Sequence, residues 1–228
     1  FEKGAIEGGE RVELDDGGWS DVRLPHDWAI AGPYDPEDNP HTAKLPWRGE
    51  GWYRKRFTLG PDAEKKRIYL DFDGAMAMPR VYVNGHAAGG WDYGYMGFRV
   101  DATPYVEIGK PNLVAVHLDT SFHSSRWYPG AGIYRKVTLV TTDPVHVAHW
   151  GVAVTTPEVS AAAASVRVVA TVENRDELAR TVEVGASLVD PKGVVVGRAR
   201  APLAVEPKKS GEIEQTLRIK KPERWDIE

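Results

Sequence analysis

The 228 residues contain no cysteine. Disulfides and thiolate metal sites are thereby excluded, while the compartment stays open, because exported proteins also do without bridges. No apolar run approaches the roughly 20 residues that a membrane-crossing helix needs, so no membrane partner is expected. A surplus of one charge is missing as well: 29 basic and 33 acidic residues are spread along the chain for a formal net charge of -4. Without a basic stripe to grip phosphates, nucleic acid is not an expected partner. Nucleophile-elbow, phosphate-loop, dinucleotide and zinc-helix motifs are all absent, and no cofactor is expected. The first half also lacks any sustained 3.6-residue pattern of helical length, which makes it β-rich.

What the chain does contain is aromatic side chains, unevenly placed. Six of the eight Trp, all nine Tyr and all five Phe precede residue 135, leaving Trp150 and Trp225 for the remainder. Two domains follow, 1–143 and 144–228, divided where an apolar run ends at Asp143-Pro144. In the first, alternating apolar residues predict strands over 52–59, 67–73, 79–83, 113–119 and 133–140. Asn84-Gly85 signals a hairpin, since a type I′ turn needs positive φ at both central residues. A further hairpin carries Trp91 and Tyr93 through Gly94 to Phe98. In the second, strands over 145–155, 165–173, 181–189, 194–201 and 212–220 are separated by polar turns, and Ile213, Leu217 and Ile219 face inward in the last. The expectation is an all-β protein: a sandwich or jelly roll, then a small immunoglobulin-type sandwich that serves as a spacer.

The run at 125–135 reads Ser-Arg-Trp-Tyr-Pro-Gly-Ala-Gly-Ile-Tyr-Arg, unusual for a plain connection. Arg126, Trp127 and Tyr128 suit a planar ring, a sugar face or a partner surface, although the aromatics equally suit a plug at the end of a sandwich. Residues 31–51 hold four prolines with Tyr34 and Trp47, a composition that excludes helix and central strand and predicts a long ordered loop. Asp27, beside Trp28, either accepts backbone N–H groups in an Asx-turn or orients a ring, and the turn is preferred. Residues 1–18 carry only weak signals.

Acid/base hydrolysis needs two carboxyl groups converging on one bond, and acids that fall on turns and solvent faces supply no such pair. Asp71 and Asp73 share a strand face but read as solvated charges rather than calcium ligands, and His146 and His149 point to opposite faces of a strand. No metal is expected, and the chain by itself reads as non-catalytic. It opens at Phe1 rather than Met, as a trimmed or mature chain does, and a removed signal peptide is one cause; a periplasmic or secreted location is favoured over the cytoplasm.

Four motifs in register carry a resemblance. They are Leu24-Pro25-His26-Asp27-Trp28; Gly51-Trp52-Tyr53-Arg54-Lys55-Arg56-Phe57; Asp73-Gly74 followed by Val81-Tyr82-Val83-Asn84-Gly85; and the run at 125–135. Together the chain resembles glycoside hydrolase family 2, in its β-galactosidase branch. The resemblance implies a galactose-binding-like jelly roll over 1–143 and an immunoglobulin-like sandwich over 144–228. It also implies that acid/base and nucleophile glutamates lie on a (β/α)₈ barrel absent from this chain, and that residues 221–228 resemble the strand leading into it. Arg126, Trp127, Tyr128, Trp47 and Arg48 are then implied to rim the pocket for a β-galactoside or related carbohydrate. Some members have an acidic residue where this sequence has Arg126. The alternative is that the first domain is an independent carbohydrate-binding module.

Overall fold

A computed structural model describes residues 1–38, 40, 43–121 and 127–225. The chain is all-β and divides into two compact units, Phe1–Thr141 and the remainder from Thr142.

In the first unit the strands are β1 (Glu2–Lys3), β2 (Glu50–Thr58), β3 (Arg67–Phe72), β4 (Arg80–Val83), β5 (His86–Gly90), β6 (Phe98–Asp101), β7 (Pro111–Asp119) and β8 (Val137–Thr142). They form a five-stranded sheet in the order β1-β2-β7-β4-β5 and a three-stranded sheet in the order β6-β3-β8. The core lies between them: Tyr53, Val81, Val83, Val116 and Leu118 from one sheet meet Ile68, Leu70, Phe72, Phe98 and Val100 from the other. Phe72 and Phe98, cross-strand partners on β3 and β6, stack with ring centroids 4.7 Å apart.

β7 departs from simple alternation. Ala115 is as buried as its inward neighbours, because the outer face of the five-stranded sheet is covered too. The cover is the amino-terminal segment, and Arg54 holds it. Its guanidinium donates to Asp16 Oδ2 at 2.8 Å and to the carbonyls of Gly9, Arg11 and Leu14 at 2.6, 2.9 and 3.3 Å. Gly9 lies flat on the Trp52 ring, where a Cβ would come within 2.5 Å. The weakly patterned residues 1–18 are thus fixed by β2 rather than by their own sequence.

Asn84 and Gly85 take φ of +49° and +83° between β4 and β5, as the hairpin requires. Asn84 does more, donating from Nδ2 to the Tyr105 carbonyl and Asn112 Oδ1 and accepting from the Leu113 N–H, each at 2.8 Å. Asp71, read from sequence as a solvated charge, is a bidentate partner of Arg99 across β3 and β6, at 2.6 and 2.7 Å.

The second unit comprises β9 (Val145–Val159), β10 (Ala163–Asn174), β11 (Arg180–Val189), β12 (Val195–Val205) and β13 (Ser210–Lys220). One sheet has the order β13-β10-β9, the other is the pair β11-β12. Val166, Val168 and Leu217 pack against Ala186, Leu188 and Ala199 from the facing strands, with Ile219 of β13 alongside. Ile213, Leu217 and Ile219 face inward as expected, and so does Gln215, whose amide donates to the Val184 carbonyl at 2.9 Å.

Candidate functional site

The segment from Trp127 to Arg135 is held by backbone pairing without being a regular strand. Gly130 and Gly132 take φ of +84° and +129°, which residues with a side chain adopt only with strain. Residues 26–28 lie alongside: the His26 N–H donates to the Ile133 carbonyl at 2.8 Å and the Trp28 N–H to the Ala131 carbonyl at 2.9 Å. On the other side Met76 and Gly132 exchange hydrogen bonds at 2.9 and 2.8 Å. A Cβ on Gly132 would lie 2.5 Å from Tyr53 Oη and 2.6 Å from the His26 carbonyl oxygen. Glycine is therefore required twice over, by torsion and by space.

Side chains then anchor the aromatic pair. Asp27 Oδ1 accepts the Ala29 N–H at 3.0 Å, closing an Asx-turn, and the Tyr128 hydroxyl lies 2.8 and 2.7 Å from its two carboxylate oxygens. Both sequence readings of Asp27, turn former and ring orienter, hold together. Burial, and then the hydrogen bond to Asp27, raises the Tyr128 hydroxyl well above its ordinary pKa, so it stays a donor. Burial likewise raises the Tyr53 hydroxyl, which sits 2.7 Å from His26 Nδ1. The His26 imidazole is pushed down, chiefly by its own burial.

The five residues expected at a pocket rim fall in different places. Trp127 projects from the loop with 78% of its surface exposed. Tyr128 is half-buried against Asp27. Trp47 is 1% exposed, inside a small cluster with Ala29, Leu45 and Ala131, so its ring supports the surface from beneath. What reaches solvent there is Arg48, its guanidinium 5.6 Å from the Trp47 ring centroid. The fully buried Thr120 ties this piece down, its hydroxyl within 2.7 Å of the Trp47 carbonyl and 2.9 Å of that of Gly49. Arg126 lies outside the described residues.

A second aromatic group escaped the sequence reading. Trp91, Tyr93, Tyr95 and Met96 are between 44% and 54% exposed on the connection from β5 to β6, with the two tyrosine rings 5.6 Å apart. This connection leans on the first loop, because the Tyr134 hydroxyl donates to the Gly94 carbonyl at 2.8 Å and Gly94 is pressed against the Met76 side chain. The aromatics at every second position imitate a strand. Gly94 and Gly97 were the contrary signal.

An apolar groove of about 380 Å³ also opens in the first unit, lined by Leu24, Phe57, Leu70, Val114, Val137 and Leu139 among others. Its lining is mostly apolar, with Tyr53, Arg54 and Lys55 among the other residues, whereas a sugar site needs several convergent polar groups. Among the described residues no three His, Asp or Glu side chains gather in a way that could hold a metal.

Residues 23–143 match the family model for the sugar binding domain of glycosyl hydrolases family 2. Over 216 residues the chain is 38% identical to the β-galactosidase BoGH2A of Bacteroides ovatus, an alignment that spans 93% of this chain and 25% of that protein. A β-glucuronidase of Formosa agariphila is 26% identical over 243 residues, with 94% of this chain and 24% of the relative aligned. Among solved structures, a family 2 member from Bacteroides cellulosilyticus superposes with a TM-score of 0.89 at 36% identity, over 98% of this chain and 31% of that one. The β-glucuronidase of Bacteroides uniformis gives a TM-score of 0.86 at 26% identity, over 98% and 27%. The chain thus spans about a quarter of the length of these curated relatives.

Proposed function

The chain belongs to glycoside hydrolase family 2, and from that premise we propose that it is the amino-terminal, non-catalytic part of a retaining β-glycosidase. The parent enzyme, β-galactosidase-like, hydrolyses terminal β-glycosides on a (β/α)₈ barrel carried by further polypeptide. The first unit is the jelly-roll sugar-binding-type domain and the second the immunoglobulin-like domain. One observation carries this reading: similarity to a β-galactosidase and to β-glucuronidases runs through nearly the whole chain yet takes up only a quarter of their length.

In that enzyme the first unit braces the barrel and rims its pocket. Trp127 offers a flat apolar face of the kind on which the C–H side of a pyranose packs, and the Asp27–Tyr128 hydrogen bond fixes the loop that presents it. Arg48 adds a cation at the surface above Trp47. Arg126 is the remaining rim candidate. Bond cleavage itself belongs to two carboxyl groups about 5–5.5 Å apart, the separation of a double-displacement mechanism. β-Galactoside is the first candidate substrate, ahead of β-glucuronide and β-mannoside.

Proton NMR of the first sugar released by the parent polypeptide tests the mechanism. Retention gives the β-anomer before mutarotation, and initial release of the α-anomer would contradict it. The exposure of Trp127 and of the aromatics at 91–96 favours a second reading, an independent carbohydrate-binding module. Calorimetric titration of the 228-residue chain with galactosides separates the two: silence supports the brace, and a saturable heat supports the module.

A further inference from the structure

The connection from β5 to β6 turns its large side chains outward because its backbone is pinned inward. The Trp91 N–H donates to the Pro79 carbonyl at 3.1 Å, and Arg80 Nη2 donates to Asp92 Oδ1 at 2.8 Å. Gly94 lies so close to the buried Met76 that a Cβ would stand 2.3 Å from its sulfur, and a Cβ on Gly97 would stand 3.0 Å from the Phe72 carbonyl oxygen. The Tyr134 hydroxyl completes the set through its bond to the Gly94 carbonyl. With the backbone tied down at 91, 94 and 97, the side chains of Trp91, Tyr93, Tyr95 and Met96 have only the solvent side to occupy, and each stays exposed. Rings held in place before anything binds lose little freedom when something does.

The surface is aromatic but not dry. Asp92 falls between Trp91 and Tyr93 with its side chain 80% exposed, and that of its partner Arg80 is 43% exposed. Arg135 is exposed, its guanidinium 5.6 Å from the Tyr134 ring centroid. Burial raises the Tyr134 hydroxyl above its ordinary pKa, Arg135 opposes that, and Tyr95 and Tyr93 add to it, as groups gathered around one hydroxyl do. A protein laid over this surface would strip water from the Arg80–Asp92 pair, a cost that Coulomb attraction does not reliably repay, and interface cores are depleted of such charges. A sugar avoids that cost. A pyranose sets its C–H face on an aromatic ring and turns its hydroxyls sideways, where a carboxylate and a guanidinium bond to them.

Ring geometry narrows the ligand further. The Tyr93 and Tyr95 centroids are 5.6 Å apart with their planes at 59°. One flat ligand cannot lie on both rings. Two consecutive sugars can, because successive rings of a linked chain are turned relative to one another. Residues 23–143 match a sugar binding domain, and the relatives of the chain include a β-galactosidase and a β-glucuronidase. We propose that Trp91, Tyr93, Tyr95 and Arg135 form a carbohydrate platform that holds consecutive residues of a β-linked oligosaccharide. This rests on the reading of the chain as part of a β-glycosidase and deepens it: the substrate class becomes an oligosaccharide rather than a simple glycoside. A glycoside with a single sugar covers one ring at most and leaves the platform silent.

Titration of the 228-residue chain with the β-1,4-linked tetraoses of galactose, glucose, mannose and xylose tests this by calorimetry. Saturable binding of at least one is expected, roughly tenfold weaker in Tyr93→Ala and in Tyr95→Ala, and within about threefold of native in Tyr95→Phe, which keeps the stacking face. Silence with all four tetraoses would overturn the proposal. So would binding that Trp127→Ala abolishes and the two tyrosine variants leave intact, which assigns the sugar to the other loop. Saturation-transfer NMR on the native chain needs no variant to fold: transfer from tyrosine ring protons to sugar C–H protons is expected, and a bound tetraose without it would refute the platform. Nitration of Tyr93 and Tyr95 in the short chain but not in the parent polypeptide would also overturn it, because further polypeptide then covers the rings. Binding is read without turnover, whereas failure of the enzymatic reading shows as a parent that hydrolyses nothing, so the two failures are distinguishable.

Discussion

At Gly132 three constraints meet: a φ of +129°, the Tyr53 hydroxyl and the His26 carbonyl. A Gly132→Ala substitution is expected to cost roughly 2–4 kcal/mol, since torsional strain and a backbone clash add. A melting point within about 1 °C of the parent value would show that the loop relaxes freely. The loop's glycines were visible in the sequence, but their torsions were not, because only the closing backbone of residues 26 and 76 imposes them. His26 adds a pH dependence. Its folded pKa lies below the ordinary value, so the unfolded chain binds the proton first as pH falls. Stability from this residue is complete above the ordinary imidazole value, about 6.5, and is lost as pH falls through it toward the folded value. Between about pH 7.5 and pH 5 the melting point of the native chain should fall more steeply than that of His26→Gln. Parallel slopes would exclude His26 as the cause.

At the scale of elements, Arg54 shows what alternation conceals. Its place on β2, in step with Arg56, reads as a solvent face, yet its side chain is 2% exposed and serves one carboxylate and three carbonyls. Which cations are buried depends on a covering segment forty residues away in sequence, whose own pattern is weak. Arg54→Leu is expected to destabilise the first unit by about 3–5 kcal/mol, because Asp16 and the carbonyls lose a buried partner. Proteolysis should then cut within residues 1–20 well before the rest, and uniform resistance would contradict the role of this anchor.

The Asn84-Gly85 hairpin was legible because its torsions are a property of two residues. Asn84→Ala should cost roughly 2–3 kcal/mol, since turn preference and a half-buried hydrogen-bond hub are lost together. An effect on denaturation midpoint no larger than that of an exposed loop substitution would refute the hub. β8 begins at Val137 rather than 133, because the backbone at 131–133 is already committed to residues 26–28 and Met76. β9 runs past its expected end to Val159 and includes Pro157, which an edge strand tolerates since one side needs no donor.

Across the whole molecule, the aromatic imbalance separates the two units. The first exposes Trp127, Arg48 and the connection at 91–96, with Tyr128 half-buried, on a frame fixed by Asp27, Thr120 and Gly132. Four motifs in register made the family legible. The placement of Trp47 was not, since a Trp in a proline-rich loop reads the same whether it faces a ligand or the core. In the proposed function this frame serves catalysis carried out elsewhere in a longer polypeptide. Turnover of aryl β-galactosides and β-glucuronides, measured side by side for the 228-residue chain and its parent, tests that most directly. Hydrolysis by the parent and none by the chain is expected; hydrolysis by the chain alone at a rate comparable to the parent's would refute the proposed function.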